Sequence, residues 1–287
     1  MEPRSYRAYP VLFGALTALV LSGSSVLEAG ESSSATLASL SSLSKPSTVE
    51  LLAGGPAGDR QLVAGVRVRL KPGWKTYWRN PGQSGMPPSF DWSGSSNVAD
   101  AEVLFPAPRR YTANGETVYG YHEEVIFPVR ITPAKAGDPV KLSLSMTYAI
   151  CRDICMPIQA EAAAELGTDM GGGQNLAEIE RYEKRVPQDQ VPGLDIAAIR
   201  SAFEDGKEAL NVELKVADES DPVEIFIENA PAGVSLGASR LVASEADRRL
   251  YRISVDKNRT GQPIRGAKIA LTVVQGEKAL ARTVKVD

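Results

Sequence analysis

The chain has 287 residues, a hydrophobic content of 43% and a formal net charge of −3, which suits two ordinary globular domains with buried cores. The slightly acidic balance excludes a protein built mainly to bind nucleic acid, because a phosphate-binding surface carries an excess of Lys and Arg. With one His and two Cys, the sequence also has too few ligands for an ordinary structural zinc site.

The N-terminus has the layout of a secretory signal peptide over residues 1–29. Arg4 and Arg7 supply a positive segment, Val11–Leu21 is apolar, and Ala29 ends a plausible cleavage site. The alternative is an uncleaved membrane anchor, but this apolar stretch spans only ~17 Å as a helix, against the ~30 Å of a bilayer core. We therefore expect an exported protein, in an oxidising compartment outside the cytoplasm, whose mature chain has no membrane span and begins with a flexible tether over residues 30–47.

Short apolar runs separated by Gly and Pro then predict a β-sandwich over residues 48–167. Pro128 lies inside one of these runs and predicts an edge strand or a bulge, since proline cannot donate to a strand ladder. The runs with strand periodicity are Thr48–Ala53, Leu62–Leu70, Val125–Ile131, Val140–Tyr148 and Ile158–Leu166, of which the last suits a helix equally well.

Residues 168–190 form a predicted linker that contains a short polar helix, Leu176–Arg185. Residues 191–287 are predicted to form a second domain that resembles a β-sandwich and opens with a helix over Asp195–Phe203. This domain contains neither Cys nor His, so a structural or docking role is expected for it. Its predicted strands are Ala209–Val216, Val223–Glu228, Leu250–Val255, Ala267–Val274 and Ala279–Val286.

The two cysteines, Cys151 and Cys155, lie directly after a strongly alternating strand. Exported proteins with an even number of cysteines usually pair them. Positions four apart are ~13 Å from each other on an extended strand, whereas a disulfide needs Cα atoms roughly 4.4–6.8 Å apart. If the cysteines pair, the chain must therefore leave the strand and curl between them, at the polar residues Arg152 and Asp153.

Such a short loop makes the disulfide a weak staple. On the loop-entropy model, closing about five residues stabilises a protein by only ~2 kcal/mol, whereas a loop of about 60 residues gives over 4 kcal/mol. A tight and accessible pair is instead suited to thiol–disulfide exchange. Three interpretations stay open at this point: exchange, a local staple in a binding module, and metal binding.

Three motifs in order resemble the N-terminal periplasmic domain of the thiol:disulfide interchange protein DsbD family, in the branch related to ScsB. They are Trp74–Pro88 (WKTYWRNPGQSGMPP), Tyr119–Val129 (YGYHEEVIFPV) and Tyr148–Pro157 (YAICRDICMP), and the match covers Thr48–Leu166. The resemblance implies an immunoglobulin-like fold and protein-disulfide reductase activity, which requires no cofactor. It also implies that electrons pass from a separate, membrane-embedded donor to periplasmic thioredoxin-fold proteins.

By position in the family, Cys155 is expected to form mixed disulfides with partners and Cys151 to resolve them. The segment Tyr111–Tyr121 corresponds to a cap loop over the pair, with a turn at Asn114. The accessory residues of this expected cap are Tyr111, Asn114, Tyr119, Tyr121, His122 and Glu123. The C-x₃-C spacing is shorter than in the best-known members, which predicts a different local geometry.

Other residues near the motifs admit a plainer interpretation. His122 is either a proton relay near the cap or a surface histidine, and Trp74, Tyr77 and Trp78 suit strand core followed by a turn. Glu123 and Glu124 are expected in solvent. Soft sulfur ligands and an imidazole also suit Cu(I), so a copper carrier that uses Cys151, Cys155, Met156 and His122, with Met146 nearby, is an alternative function.

Overall fold

A computed structural model describes residues 45–58, 61–113, 115–167, 173–218 and 221–287. The predicted signal peptide, residues 30–44 of the predicted tether, Asn114 and residues 168–172 of the predicted linker lie outside these ranges. Residues 45–287 form one compact unit. Within the described ranges, no helix is long and apolar enough to cross a membrane.

The described residues up to Gly167 form two antiparallel sheets. These sheets contain the five strands predicted for this segment and five more. The sheets have the strand orders β1-β2-β8-β5 and β10-β9-β3-β7-β6, with β4 paired to β9. The strands are β1 (Ser47–Pro56), β2 (Leu62–Leu70), β3 (Lys75–Gly82), β4 (Ser89–Asp91), β5 (Val98–Val103), β6 (Arg109–Ala113), β7 (Glu116–His122), β8 (Glu124–Pro133), β9 (Val140–Cys151) and β10 (Cys155–Leu166).

One hydrophobic core joins both sheets, which confirms the predicted β-sandwich. Val66, Phe127 and Ile131 from the first sheet lie in the same buried cluster as Trp78 and Tyr148 from the second. Alternation places these side chains inside, because successive residues of a strand point to opposite faces of its sheet. The ambiguous run Ile158–Leu166 is strand, not helix: each of its residues pairs with one of β9.

Pro128 does not lie on an edge strand, so that prediction was wrong. It pairs with Gly65 in β8, between β2 and β5. Its carbonyl accepts a hydrogen bond from Leu104, just after the last residue of β5. In a strand, the nitrogen and the carbonyl of one residue face the same neighbouring strand, which for Pro128 is β5. Because β5 ends at Val103, the missing N–H of Pro128 leaves no β5 residue without a ladder partner.

The predicted linker helix is present as α1 (Gly173–Glu183), and it packs on the outer face of the first sheet. Ile179 and Tyr182 of α1 are buried in the core cluster of the sandwich. Gly65 leaves space for the helix, since a Cβ at this position would come within 2.9 Å of the Ile179 side chain. The segment after the first sandwich therefore contributes to the core of that sandwich.

The remaining residues form two more antiparallel sheets, with the strand orders β11-β12-β15-β14 and β13-β16-β17. Both sheets contribute to a second hydrophobic core. Apart from α1, the helices and strands of the described residues are thus all strands, and the predicted all-β class is confirmed. The strands are β11 (Leu194–Glu204), β12 (Lys207–Val216), β13 (Val223–Ile227), β14 (Val234–Glu245), β15 (Arg248–Lys257), β16 (Lys268–Gln275) and β17 (Lys278–Lys285).

The predicted helix over Asp195–Phe203 is wrong, because this segment is strand β11, paired with β12 along its length. A register shift between Ile196 and Ala198 inserts a bulge into the strand. The bulge turns Ile196 and Ile199 towards the same core, although they are three residues apart. Apolar residues at this spacing imitate the period of a helix.

The second β block also touches the first core directly. Phe226 of β13 is fully buried and belongs to the core cluster of the first sandwich, where its ring meets those of Trp78 and Tyr119 edge-on. Around this ring, Arg79 donates two hydrogen bonds to the Glu228 carboxylate, and Arg110 donates one to the Ile225 carbonyl. The boundary between two domains at residues 168–190 stays a prediction.

Candidate functional site

The two cysteines close the hairpin between β9 and β10. Cys151 and Cys155 lie directly opposite each other at the end of the ladder, with Cα atoms 4.1 Å apart, and they form a disulfide bond. Residues 152–154 make the turn, in which the Arg152 amide donates to the Ile154 carbonyl. The expected curl of the chain at Arg152 and Asp153 is therefore present, and the pairing of the cysteines is confirmed.

The two cysteines differ strongly in their exposure to solvent. Cys151 is 1% exposed, whereas Cys155 is an exposed residue at the tip of the hairpin. Ile154, next to Cys155, is a large apolar side chain that is 70% exposed. A macromolecular reactant can therefore approach the sulfur of Cys155 and not that of Cys151.

The disulfide lies on the outer face of the larger sheet, over a small apolar cluster. Strand pairing places Lys75 opposite Cys151, and residues that face each other across a ladder share one face of the sheet. Alternation then brings Tyr77 and Ala149 to that face as well. Cys151 packs there with Tyr77, Val118 and Ala149, and the partly buried Met86 and Tyr111 cover the cluster.

Tyr77 supplies a polar contact to the exposed cysteine. Its hydroxyl lies 3.2 Å from the Cys155 sulfur, although the residue as a whole is only 3% exposed. Burial raises the pKa of the Tyr77 hydroxyl above its usual value of 10.0, so it stays protonated at neutral pH and can donate a hydrogen bond. Gly85, which has a φ of 116°, lies against the ring where a Cβ would overlap it.

Tyr77 was predicted to lie in the strand core, and its ring is buried as expected, but its hydroxyl contact with Cys155 was not predicted. The contact depends on the bend at the end of β9 and on the pairing of β3 with β9, and both are tertiary features. The alternation of Lys75, Thr76 and Tyr77 is the only signal in the sequence that bears on it. Thr76 points the other way and donates to the Ala149 carbonyl.

A Tyr77→Phe variant is expected to make the reduced Cys155 less reactive near neutral pH. A hydroxyl that donates to a thiolate stabilises the charged form by about 1.5–3 kcal/mol, so its loss moves the alkylation profile up by about one to two pH units. The measurement is the rate of alkylation of the reduced protein as a function of pH. Tyr148→Phe is the matched control, since it removes a hydroxyl that bonds to Ser47 instead; equal profiles for Tyr77→Phe and wild type would contradict the assignment.

The expected cap segment is a β-hairpin formed by β6 and β7. Tyr111 of β6 packs against the cluster around Cys151, and Gly115, with a φ of 83°, lies in the turn. Asn114 lies outside the described residues. Burial raises the pKa of the Tyr111 hydroxyl to about 12. Of the aromatic residues expected in the cap, Tyr111 is the one that the fold brings to the disulfide.

Tyr119 and Tyr121 do not line the disulfide, which corrects their expected place in the cap. Both alternate with Val118 and Gly120 along β7 and so point to the opposite face of the sheet. The Tyr119 ring meets Phe226 at 5.0 Å between ring centroids. Tyr121 lies in the core against Phe127 and donates its hydroxyl to the Pro106 carbonyl.

His122 and Glu123 lie at the end of β7, away from the sulfur atoms. His122 is on the same face as Cys151 but on the second strand from it, with Lys75 between them. Its ring contacts that of Tyr111, and its Nδ1 lies 3.9 Å from the Glu123 carboxylate. The Glu123 side chain is 82% exposed, as expected, whereas Glu124 is partly buried and paired with Arg69 at 3.0 Å.

Of the alternative copper ligands, only Cys151 and Cys155 come together. Met156 pairs with Ile150 and so lies on the core side of β10, and Met146 is buried in the core. Met86, which the sequence did not single out, is the methionine beside Cys151. Throughout the described ranges, no group of three or more His, Cys, Asp or Glu side chains is arranged to hold a metal ion.

Comparison with known proteins identifies a family for the segment that contains the disulfide. Residues 48–166 match the sequence profile of the family described as thiol:disulfide interchange protein DsbD, N-terminal. The crystal structure of the N-terminal periplasmic domain of ScsB from Proteus mirabilis aligns with 83% of this chain and 92% of its own, at 21% identity and a TM-score of 0.60. At that identity, the likeness shows a shared fold alone.

A second solved structure, the periplasmic chaperone SfaE, aligns with 83% of this chain and 99% of its own at 12% identity. Its TM-score of 0.22 is too low to support an argument. No curated protein matches the chain.

Proposed function

Because residues 48–166 belong to the family of the DsbD N-terminal domain, we propose that this protein carries out thiol–disulfide interchange through Cys151 and Cys155. The observation that carries the proposal is the unequal exposure of the two cysteines at the tip of one hairpin. An exchange centre needs one sulfur that a partner can reach and a second one close behind it. A disulfide that served only as a staple would have no need of this asymmetry.

The reaction runs in two displacements when the pair starts reduced. The Cys155 thiolate attacks one sulfur of the partner's disulfide, forms a new S–S bond to it and expels the partner's second sulfur as a thiolate. The Cys151 thiolate then attacks the Cys155 sulfur, which restores the Cys151–Cys155 disulfide and releases the partner as a dithiol. Two electrons have passed from this protein to its partner, and the steps reverse when a stronger reductant meets the oxidised pair.

The surface around Cys155 suits a protein partner. Ile154 offers an apolar contact beside the reacting sulfur, and the adjacent Arg152 and Asp153 form an ion pair with each other at 2.9 Å. We infer that the partners are periplasmic thioredoxin-fold proteins, with a membrane-embedded protein as the electron donor. The family of residues 48–166 and the predicted signal peptide at residues 1–29 both support a periplasmic location.

The test is the reduction potential of the Cys151–Cys155 pair. The purified protein is equilibrated with glutathione redox buffers and its free thiols are trapped and counted. We expect a value between about −120 and −270 mV, the range of known exchange proteins. A value below about −300 mV would mark an inert structural bond and would favour the alternative of a binding module.

A further inference from the structure

A cleft of about 280 Å³ lies between the cap hairpin and the end of α1. The hairpin contributes Arg109, Tyr111 and His122 to its walls, and the helical segment contributes Tyr182 and Arg185. The cleft lies beside the cluster around Cys151, since Tyr111 borders both. The exchange reaction proposed above does not use it.

The two arginines of the cleft differ from the other arginines of the first sandwich and its helix in their lack of a carboxylate partner. Residues 61–190 contain nine arginines, and seven of them have a carboxylate oxygen within 4.0 Å. Within the described part of the chain, the two without such a partner are Arg109 and Arg185. Arg185 instead lies over the Tyr182 ring, at 5.4 Å from its centroid. Two guanidinium groups that converge on one cleft without a carboxylate partner favour an anionic ligand.

A third donor of the cleft also lacks a partner. The Tyr111 hydroxyl is inaccessible to solvent and makes no hydrogen bond to any described residue. A buried hydroxyl without a partner costs free energy, and buried polar groups in native proteins are nearly always satisfied. An oxygen of a ligand between the two arginines would accept the hydrogen bond that this hydroxyl does not make within the chain.

The acidic residues in and beside the cleft make no direct ion pair with its two arginines. Glu124 lines the cleft, but its carboxylate is already paired with Arg69 and lies within 3.9 Å of Arg181. Glu123 also lines the cleft, and its side chain is 82% exposed. An adjoining cleft that both arginines line contains Asp221, Glu224 and Glu277, of which Glu224 is 3.9 Å from Arg110. Among the described residues, Arg109 and Arg185 therefore have no carboxylate within 4.0 Å.

We propose that this cleft binds a carboxylate, held by the guanidinium groups of Arg109 and Arg185 and by the hydroxyl of Tyr111. Planar guanidinium groups match the two oxygens of a carboxylate. The volume lies at the lower limit for pockets of drug-sized ligands, so it suits a small dicarboxylic acid or one acidic side chain of a bound protein. The proposal does not depend on the redox function, because binding is measured with the disulfide intact.

His122 is the only histidine of the chain and lies in the wall of the cleft, so a single imidazole Hε1 signal in the NMR spectrum reports on binding. The oxidised protein, purified without a histidine tag, is titrated at constant pH with succinate, with a tetraglutamate peptide and with sodium chloride at matched ionic strength. We expect a shift that saturates by about 10 mM succinate and does not appear with chloride. Peptide binding that is tenfold tighter or more would identify an acidic protein segment as the ligand, and weaker peptide binding would identify a free acid.

Matched variants separate this site from general attraction of anions. Arg109→Gln and Arg185→Gln are each expected to weaken binding about tenfold, and Tyr111→Phe by a smaller factor. Arg259→Gln is the control, since Arg259 is an exposed arginine of the second β block without a carboxylate within 4.0 Å among the described residues. A shift that never saturates with succinate or peptide, or that saturates equally in Arg109→Gln and Arg185→Gln, would overturn the proposal.

Discussion

A Cys151→Ala variant is expected to form a stable mixed disulfide through Cys155, whereas a Cys155→Ala variant should form almost none. The reason is access: Cys155 is exposed at the tip of the β9–β10 hairpin, whereas Cys151 is 1% exposed, in the cluster against which Tyr111 packs. Attack by Cys151 on a partner requires local opening of the structure. If that opening costs about 3 kcal/mol, the rate through Cys151 falls on the order of a hundredfold.

The measurement is the rate at which each reduced variant forms an adduct with oxidised glutathione, followed by mass spectrometry. The two variants control for each other, because each has lost the same disulfide and the same ~2 kcal/mol that its short loop provides. The double variant supplies the background. Equal rates for the two single variants would show that the exposure difference does not survive reduction, and the roles given to the two cysteines would then be wrong.

Strong alternation made the first sandwich predictable. Val140–Tyr148 alternates along its whole length and Leu62–Leu70 alternates from Val66 onwards, and these runs are the strands β9 and β2, which carry core residues. The resemblance of residues 48–166 to the DsbD family, predicted from three short motifs, is confirmed by the match of the family profile to these residues. The local sequence pattern is enough to predict a strand where the alternation of that strand alone determines which side chains are buried.

The wrong or missing predictions concern irregular strands and the faces to which side chains point within a sheet. The bulge in β11 gave Ile196 and Ile199 the spacing of a helix. Strand β14 was not predicted, because its apolar alternation ends at Ala238 and most of its side chains are exposed. Tyr119 and Tyr121 were assigned to the cap together with Tyr111, although strand alternation and the pairing of β6 with β7 place them on the other face.

A Phe226→Ala variant is expected to destabilise the first sandwich, although Phe226 belongs to the second β block. Its ring is fully buried against Trp78 and Tyr119, and the Arg110 guanidinium lies 5.7 Å from its centre. Truncating a buried phenylalanine to alanine typically costs about 3–5 kcal/mol in the free energy of unfolding. Phe203→Ala is the matched control, because Phe203 lies in the same block and is 73% exposed, so its loss should cost less than about 0.5 kcal/mol.

Tryptophan fluorescence reports this effect selectively. The three tryptophans of the chain, Trp74, Trp78 and Trp92, all lie in the first sandwich, so their emission follows the unfolding of that part alone. If the two blocks unfold together, urea titration of Phe226→Ala shows the full loss in the tryptophan signal, coincident with the loss of strand signal in circular dichroism. If the tryptophan midpoint stays at the wild-type value while circular dichroism reports an earlier transition, the blocks are independent. In that case the predicted destabilisation of the first sandwich is wrong, and the predicted boundary at residues 168–190 separates two autonomous domains.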